Sequence, residues 1–286
     1  MDFIKSPLNY TGGKFAILPQ LFPLFPKNIN TFLDMFAGGA NVGINANANK
    51  IVLNDNLVFL MDIYSDLQSK EADDIFEEIE GIIKKYKLSL TNREGYNELR
   101  NDYNKDKSPI LLLVLSFYSF NHQIRFNNQH EFNTPFGLNR SRYNKKIKEN
   151  LKGFIAALKN KNISISKKEF DKYDISMLEE GDFVYCDPPY LITTGTYNDG
   201  KRGFTGWGKK EEENLLTILD ILNKNKVKFA LSNVTHHKGM TNQLLLDWVN
   251  RSNYILHDIK KNYTNSSYHA KFRDSKGTNE VLITNY

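Results

Sequence analysis

Short apolar runs recur along the chain, separated by longer stretches in which apolar residues return every three or four positions. The short runs are rich in β-branched and aromatic residues and end at glycine, proline or asparagine, which predicts buried strands. The longer stretches place their apolar residues on one face, which predicts amphipathic helices. The alternation of the two predicts an α/β fold built on one open sheet. Strands are predicted over residues 31–36, 51–54, 163–166, 182–186, 227–233 and 280–284.

Helical periodicity is clearest between residues 57 and 104, where isoleucines recur among glutamates and lysines. These isoleucines predict a core-facing stripe without a chemical role. Pro109 suits the start of a further helix, because the first helical residue needs no N–H donor. The isoleucines are Ile75, Ile79, Ile82 and Ile83; an amphipathic stretch covers 15–24, and further helices are predicted over 41–48, 110–120 and 211–222.

Composition narrows the class of protein. A chain of 286 residues with 40% hydrophobic and 25% charged residues is typical of one large globular domain, or of a core with an inserted module. No apolar run reaches the ~18 residues of a membrane span, and the first residues lack a signal-peptide pattern. Cys186 is the single cysteine, which excludes an internal disulfide. We therefore expect a cytosolic protein.

The net charge of +5 is unevenly distributed. Residues 84–161 hold 16 Lys and Arg against 6 Asp and Glu, whereas the remainder holds 22 against 27. One basic segment on an otherwise acidic chain indicates local contact with a polyanion. A lysine-rich, solvated helix face is the alternative interpretation.

Two glycine turns precede predicted helices near the N-terminus. In the first, Gly12, Gly13 and Lys14 could bring backbone N–H groups and an ammonium group to an anion. The spacing of a phosphate loop is missing, and Phe15 stands where that loop needs a hydroxyl, so a nucleoside triphosphatase is excluded. The second turn, residues 37–40, follows a strand, and Asp55 closes the next strand. This geometry suits a cofactor with a ribose, whose hydroxyls an acid at that position can bind.

Aromatic and amide residues alternate between Phe120 and Gly137, which predicts an exposed hairpin. Arg, Asn and Gln can recognise base edges in DNA, and aromatic rings can wedge into a base stack. The basic residues that follow are suited to phosphates. A solvated hairpin with a few core aromatics is the alternative. The basic residues are Arg140, Arg142, Lys145, Lys146 and Lys148.

The tetrad Asp187-Pro188-Pro189-Tyr190 directly follows a predicted strand. Two prolines end the strand because neither donates an N–H, and they leave a rigid corner with a carboxylate, free carbonyls and a ring. An Asp oxygen and a nearby carbonyl can both accept from one planar amino group, and Tyr190 can stack on the ring that bears it. Taken alone, the tetrad could be a chance turn. The loop over 193–208 is long enough to predict a functional lid.

The glycine turn, Asp55, the amide-rich hairpin and the tetrad follow one another along the chain. Together they resemble the motifs of the alpha-class, Dam-like DNA adenine-N6 methyltransferases, also called the D12 class. The resemblance covers almost the whole chain. It implies a Rossmann-like sheet that binds S-adenosylmethionine, with an inserted, mainly helical DNA-recognition domain that carries a β-hairpin. The corresponding boundaries are 1–56 and 145–286 for the catalytic domain, and 57–144 for the recognition domain.

The resemblance also implies roles for individual residues. Asp187, Pro188 and Tyr190 are expected to be catalytic, with N6 of a flipped adenine held by Asp187 and the Pro188 carbonyl. Arg125 is expected to read a guanine, and Phe120 to intercalate beside the flipped base. S-adenosylmethionine is expected to contact Tyr10, Gly12, Lys14, Phe36, Gly38, Asp55, Phe170 and Asp187. DNA is expected to contact Asn9, Phe120, Asn121, Arg125, Asn127, Asn133, Arg140 and Arg142.

Some residues depart from the family's pattern. Asn9 replaces the lysine that enzymes acting on GATC carry, and His122 and Gln123 replace small and apolar residues, so we expect GATC or a related site. Ala40 replaces the last glycine of the second turn.

Other expectations concern partners and alternatives. We expect no metal, because His236 and His237 have no third ligand at a usual spacing. A monomer is expected in a prokaryotic cytoplasm, acting on double-stranded chromosomal, phage or plasmid DNA, and a cognate restriction endonuclease can accompany it. An RNA adenine or protein glutamine methyltransferase on the same fold, or a non-catalytic DNA-binding module, are the alternatives.

Overall fold

A mixed β-sheet lies at the centre of the molecule. The computed structural model describes residues 2–10, 12–193, 207–260 and 277–286. Within these residues the sheet has eight strands, seven of them in the order β3-β2-β1-β4-β5-β8-β7, with β6 paired to β5. The strands are β1 (Thr31–Asp34), β2 (Lys50–Asn54), β3 (Ile163–Ser166), β4 (Phe183–Cys186), β5 (Lys228–His237), β6 (Met240–Thr241), β7 (Ile255–Ile259) and β8 (Thr278–Thr284).

The direction of the strands divides the sheet into two parts. Strands β1 to β5 pair in parallel with their neighbours among these five. Strand β8 pairs antiparallel with both β5 and β7. The order reverses at β1, because β2 and β3 lie on one side of it and β4 and β5 on the other. The carboxyl ends of β1 and β4 are therefore neighbours at a topological switch point.

Helices cover both faces of this sheet. Apolar residues of the helices before β3 form one core with Phe32, Tyr185 and Leu282. Two later helices form the other core with Leu33 and Val184. The helices are α1 (Leu18–Leu21), α2 (Val58–Ser69), α3 (Ala72–Lys85), α4 (Arg93–Asp106), α5 (Pro109–Tyr118), α6 (Lys145–Asn160), α7 (Lys209–Lys224) and α8 (Gln243–Ser252).

The predicted α/β class and all six predicted strands are confirmed, with ends shifted by a few residues. The helical region from 57 to 104 is also confirmed, as α2, α3 and α4. The stretch 15–24 contains only α1 between two short 3₁₀ turns, because Pro19 and Pro23 restrict regular helix there.

The helix predicted over 41–48 is wrong: only a 3₁₀ turn, Gly43–Asn45, forms there. The Gly43 N–H donates to Asp34 Oδ2 (2.9 Å) instead of starting a helical ladder. Asn45 uses its amide nitrogen on the carbonyls of Ile4 and Asn41. Asparagine side chains compete with the helix for backbone groups in this way, and the hydrophobic pattern does not register that competition.

The predicted hairpin is only partly formed. Segment 120–137 has two isolated antiparallel bridges, Ser119 with Phe136 and Phe126 with Phe132, and no extended ladder. Phe126, Phe132 and Phe136 are buried, whereas Phe120 and most of the polar residues are partly or fully exposed. Most of the predicted lid, residues 194–206, lies outside the described residues. None of the helices in the described part of the chain is long and apolar enough to cross a membrane.

Candidate functional site

A pocket opens at the switch point between β1 and β4. Each of the first four strands contributes a side chain to it at or just after its carboxyl end, as expected for parallel strands that share one edge. The N-terminal segment around Lys14 forms another wall. The four strand-end residues are Asp34, Asp55, Phe170 and Asp187.

Asp187 is held at the pocket by two partners. The Lys14 ammonium lies 2.7 Å from Asp187 Oδ1, and the Tyr190 hydroxyl donates to the same oxygen at 3.0 Å. Lys14 also donates to the Gly12 carbonyl (3.1 Å) and is only 4% exposed. Pro188 is buried and Pro189 lines the pocket, so the corner predicted from the tetrad is present. Lys14, which is expected to contact the cofactor, lines the pocket, and its ammonium pairs with Asp187.

A second carboxylate that sequence reasoning missed completes this cluster. Glu280 on β8 is 2% exposed, and its Oε1 lies 3.6 Å from the Lys14 ammonium. The Tyr190 hydroxyl is 3.4 Å from the same oxygen. Lys14, Asp187, Tyr190 and Glu280 are called the Lys14 cluster below. A glutamate inside an apolar terminal strand was the available signal, since strands rarely bury an acid without a partner.

Burial dominates the electrostatics of Asp187. Loss of solvent raises the pKa of its carboxyl, Lys14 lowers it, and the negative charge of Glu280 raises it. The net shift is upward. The site therefore holds a carboxylate that is more basic than an exposed aspartate.

Asp34, at the end of β1, is a second residue that sequence reasoning did not assign. It is 1% exposed, and its Oδ2 accepts the Gly43 N–H while its Oδ1 has no hydrogen-bond partner among the described residues. Burial raises its pKa to about 8. An unpaired buried carboxylate oxygen in a pocket is suited to a cationic ligand group.

Asp55 holds the second glycine turn in place. Its Oδ2 accepts the Gly38 N–H (2.8 Å) and its Oδ1 accepts the Leu57 N–H (2.9 Å). Burial raises its pKa to about 6. The Tyr64 hydroxyl donates to the Gly38 carbonyl (2.7 Å), so both polar groups of Gly38 are used by the protein.

The turn packs closely under Tyr10. Gly38 has a φ of 47°, and a Cβ there would lie 2.9 Å from the Tyr10 ring. Only glycine fits this close approach without moving the ring. Ala40, where the family has glycine, also has a positive φ of 54°. The chain thus keeps the turn geometry with alanine, although a left-handed alanine costs about 1–2 kcal/mol.

Three aromatic rings form one wall of the pocket region. Phe36 and Phe170 line the pocket, with ring centroids 5.5 Å apart. Trp207 packs behind both rings, and its Nε1 donates to the buried Glu212. Trp207 had been assigned no site role from the sequence.

Four of the predicted DNA-contacting residues converge near the pocket. Asn9 donates through Nδ2 to the Asn121 carbonyl (2.8 Å). The Arg140 guanidinium lies 4.7 Å from the centre of the Phe120 ring and donates to Asn121 Oδ1 (3.2 Å). Asn121 and His122 both have a φ of 54°, so the backbone is strained there. Phe120 is 39% exposed, which is unusual for a large apolar ring.

The other predicted DNA-contacting residues lie further along segment 120–137 and beyond it. Arg125 is exposed, with its guanidinium hydrogen-bonded to Gln123 Oε1 and its backbone N–H to Thr134 Oγ1. Asn127 binds the Glu131 carboxylate (2.8 Å) and two backbone N–H groups, and is a turn residue here. Asn133 donates its backbone N–H to the Arg125 carbonyl, and Arg142 is exposed.

Within the described residues, no group of three or more His, Cys, Asp and Glu side chains is arranged to hold a metal ion.

The chain is similar to known proteins over most of its length. A family profile described as D12 class N6 adenine-specific DNA methyltransferase matches residues 10–265. The chain is 49% identical over 285 residues to the Type II methyltransferase M.FokI of Planomicrobium okeanokoites, covering 100% of this chain and 43% of that protein. It is 48% identical over 284 residues to the modification methylase StsI of Streptococcus sanguinis, covering 99% of this chain and 43% of that protein.

A more distant relative is similar over most of its own length. The DNA adenine methylase of Escherichia coli strain K12 is 25% identical over 260 residues, which cover 90% of this chain and 87% of that protein. The chain therefore spans less than half of the two more similar relatives, but nearly all of the distant one.

Proposed function

The chain belongs to the D12 class of N6 adenine-specific DNA methyltransferases, and from this premise we propose that it transfers a methyl group from S-adenosylmethionine to adenine N6 in double-stranded DNA. The observation that carries the proposal is the Lys14 cluster. It presents Asp187 of the D-P-P-Y tetrad, with a raised pKa, at the pocket of the switch point.

The pocket residues fit S-adenosylmethionine, which supplies an electrophilic methyl group on a sulfonium. The unpaired oxygen of Asp34 suits the cationic amino group of its methionine part. Asp55 keeps acceptor capacity beyond its two backbone bonds and is proposed to bind the ribose. Phe36 and Phe170 are proposed to hold the adenine ring, and Tyr10 to line the same space.

Asp187 is proposed to orient the amino group of the target adenine. Its carboxylate and the Pro188 carbonyl accept hydrogen bonds from the N6 amino group, and the Tyr190 ring stacks on the base. Flipping the base costs a few kcal/mol, which stacking and these hydrogen bonds offset. Most of the rate acceleration is expected from in-line positioning of the amino nitrogen.

Residues 57–144 are proposed to form the DNA-recognition domain, with 1–56 and 145–286 as the catalytic domain. The exposed Phe120 ring, supported by Arg140, suits a wedge beside the flipped base. Arg125 is proposed to read a guanine, and Asn9 and Asn121 to lie at the base nearest the pocket. Asn133 and Arg142 are proposed to contact the DNA backbone, while Asn127 shapes the turn that presents Arg125.

The recognition sequence is proposed to be GATC or a short relative of it. Two relatives carry the printed names Type II methyltransferase and modification methylase, so a cognate restriction endonuclease is proposed as a functional partner. A cytoplasmic location follows from action on cellular DNA.

A tritium-transfer assay with labelled S-adenosylmethionine tests the proposed function. The protein is incubated with a duplex DNA library, an RNA of the same sequences and a protein mixture, with and without a chelator. We expect label in N6-methyladenine of duplex DNA, at equal rates with the chelator. Label in cytosine, in RNA alone or in protein glutamine would refute the proposal.

A further inference from the structure

Glu280 reaches the site because β8 runs against the parallel strands. An antiparallel strand begins at the edge where its parallel neighbours end, so residues 278–280 lie beside the carboxyl end of β5, which is the neighbour of β4. Glu280 pairs with Val234 on β5 and with Ile259 on β7, in the interior of the sheet. Its side chain shares a face with Leu282 and is directed to the Lys14 cluster.

The contacts of Glu280 differ from those of another buried glutamate. Glu212 accepts hydrogen bonds from Trp207, Asn233 and Asn242, which are neutral groups on neighbouring elements. The contacts of Glu280 within hydrogen-bonding or ion-pair reach include Lys14 and Tyr190, and both of these also contact Asp187. A buried carboxylate costs several kcal/mol unless it is well paired. A role in the chemistry of Asp187 explains why such a group lies here.

The distances indicate that Asp187 and Glu280 share Lys14 and Tyr190 as partners. The Lys14 ammonium lies 2.7 Å from the Asp187 carboxylate and 3.6 Å from that of Glu280. The Tyr190 hydroxyl lies 3.0 Å from Asp187 and 3.4 Å from Glu280. Both contacts are made to Asp187 Oδ1, so a substrate amino group that binds this carboxylate competes with Lys14 and Tyr190 for its negative charge. Lys14 keeps the Gly12 carbonyl, and Glu280 offers Lys14 and Tyr190 a second charged acceptor.

We propose that Glu280 is a positioning residue of the methyl-transfer site, serving as the alternate acceptor for Lys14 and Tyr190 when the substrate amino group engages Asp187. This inference rests on the proposed function. It also assigns a charge to the site: two carboxylates and one ammonium give the Lys14 cluster a formal charge of −1.

Two substitutions separate the charge of Glu280 from its shape. Glu280→Gln keeps an oxygen that can accept from Tyr190 but removes the charge that balances Lys14. We expect kcat to fall about tenfold or more, while the Kd values for S-adenosylmethionine and duplex DNA change less than about threefold. Glu280→Asp keeps the charge and should recover part of the lost rate.

The pH profile distinguishes this role from a structural one. The charge of Glu280 raises the pKa of Asp187, so Glu280→Gln should move the acid limb of kcat to lower pH, and Glu280→Asp should leave it near the wild-type position. Within the described part of the chain, the titratable and charged groups that face Asp187 are Lys14, Asp34, Tyr185, Cys186, Tyr190 and Glu280.

Asp182→Asn is the matched control. Asp182 is also a buried carboxylate, and it accepts the N–H groups of Thr31 and Glu179 at the opposite end of β4. This variant should unfold at a lower temperature and keep the wild-type acid limb.

Three outcomes are decisive when all variants are measured in one assay. A shifted acid limb and a reduced kcat in Glu280→Gln alone support the inference. An unshifted limb, or equal rates for Glu280→Gln and Glu280→Asp, overturns it while the proposed function stands. Absence of methyl transfer by the wild type overturns both. If Glu280→Gln does not fold, Glu280→Asp decides alone: wild-type kcat in that variant overturns the inference.

Discussion

Asp187 shows how a partly buried carboxylate can remain ionisable. Its burial raises the pKa of the carboxyl, and the contact with Lys14 keeps the ionised form accessible. The tetrad identified this residue in the sequence, because two prolines after a carboxylate hold the corner that carries it rigid. Lys14 was identified too, but its contact with Asp187 was not, since only the fold brings residues 173 positions apart together.

Replacement of Asp187 tests its role directly. Asp187→Ala should nearly abolish methyl transfer, because the amino group loses the acceptor that orients it, while DNA affinity is maintained by segment 120–137. Single-turnover methylation and a fluorescence-anisotropy titration measure the two properties. Retention of more than about a tenth of the rate, equivalent to ~1.4 kcal/mol, would remove Asp187 from the mechanism. Asp247→Ala, at an exposed position on α8, is the control.

Asp34 gives the site a measurable dependence on pH. Its pKa is about 8 in the folded protein against an ordinary value of 3.8, so the folded state holds a proton between these values that the unfolded state has released. This group therefore makes the fold less stable as pH rises from about 4 to about 8. A cationic ligand that pairs with the carboxylate must displace the same proton.

Binding of S-adenosylmethionine should consequently tighten with pH. Between pH 6.5 and 7.5 the affinity should rise by up to about tenfold, with release of one proton, because Asp34 is still largely protonated there. Calorimetry in two buffers with different ionisation enthalpies counts the proton. Asp34→Asn should abolish both effects and Asp182→Asn neither. An unchanged slope in Asp34→Asn would show that another group, such as Asp55, is responsible.

At the scale of elements, the sequence located segment 120–137 but did not predict its backbone geometry. The alternation of rings and amides predicted an exposed hairpin, whereas Phe126, Phe132 and Phe136 are buried, as in the alternative with a few core aromatics. The same pattern could not show that only isolated bridges form, or that Asn121 and His122 have left-handed backbones. Such features depend on contacts with Asn9 and Arg140, which are distant in sequence.

The two kinds of DNA contact proposed for this region should separate by mutation. Arg125→Ala should relax preference at one base pair by about 1–3 kcal/mol, because the guanidinium presents paired donors to a guanine. Lys145→Ala should weaken all sequences alike and flatten the salt dependence, since this exposed lysine has only a weak contact with Glu149 at 3.9 Å. Binding to single-substitution duplexes at two salt concentrations measures both. Equal loss on every duplex in Arg125→Ala would make that arginine a phosphate contact.

At the scale of the whole molecule, most strands of the sheet were predictable, but β7 and the direction of β8 were not. The apolar runs that became β1 to β5 and β8 are continuous because parallel and central strands are buried on both faces. Strand β7 was missed because Ile255 to Ile259 is an edge strand with a mixed pattern, half exposed, which resembles a loop in sequence. Glu280 was missed for a related reason: the strand was recognised, but its direction relative to β5 was not.

Ligand binding should stabilise the whole fold, because the pocket joins the ends of four strands and the N-terminal segment. At 100 times its Kd, S-adenosylmethionine should add about 2.7 kcal/mol and raise the Tm by about 5–10 °C. Differential scanning calorimetry measures the shift, and EDTA should leave it unchanged. A shift of comparable size with adenosine alone would show that the methionine part contributes little, contrary to the role proposed for Asp34.

The antiparallel course of β8 also has a consequence for the timing of protein synthesis. Lys14 and Asp187 leave the ribosome before Glu280, which follows Asp187 by 93 residues. At about 5–20 residues per second, this interval lasts roughly 5–20 s. During that time the nascent chain carries segment 120–137, proposed to bind DNA, but Glu280 has yet to be added. We therefore expect a ribosome-bound chain of this length to meet DNA before it can modify it efficiently.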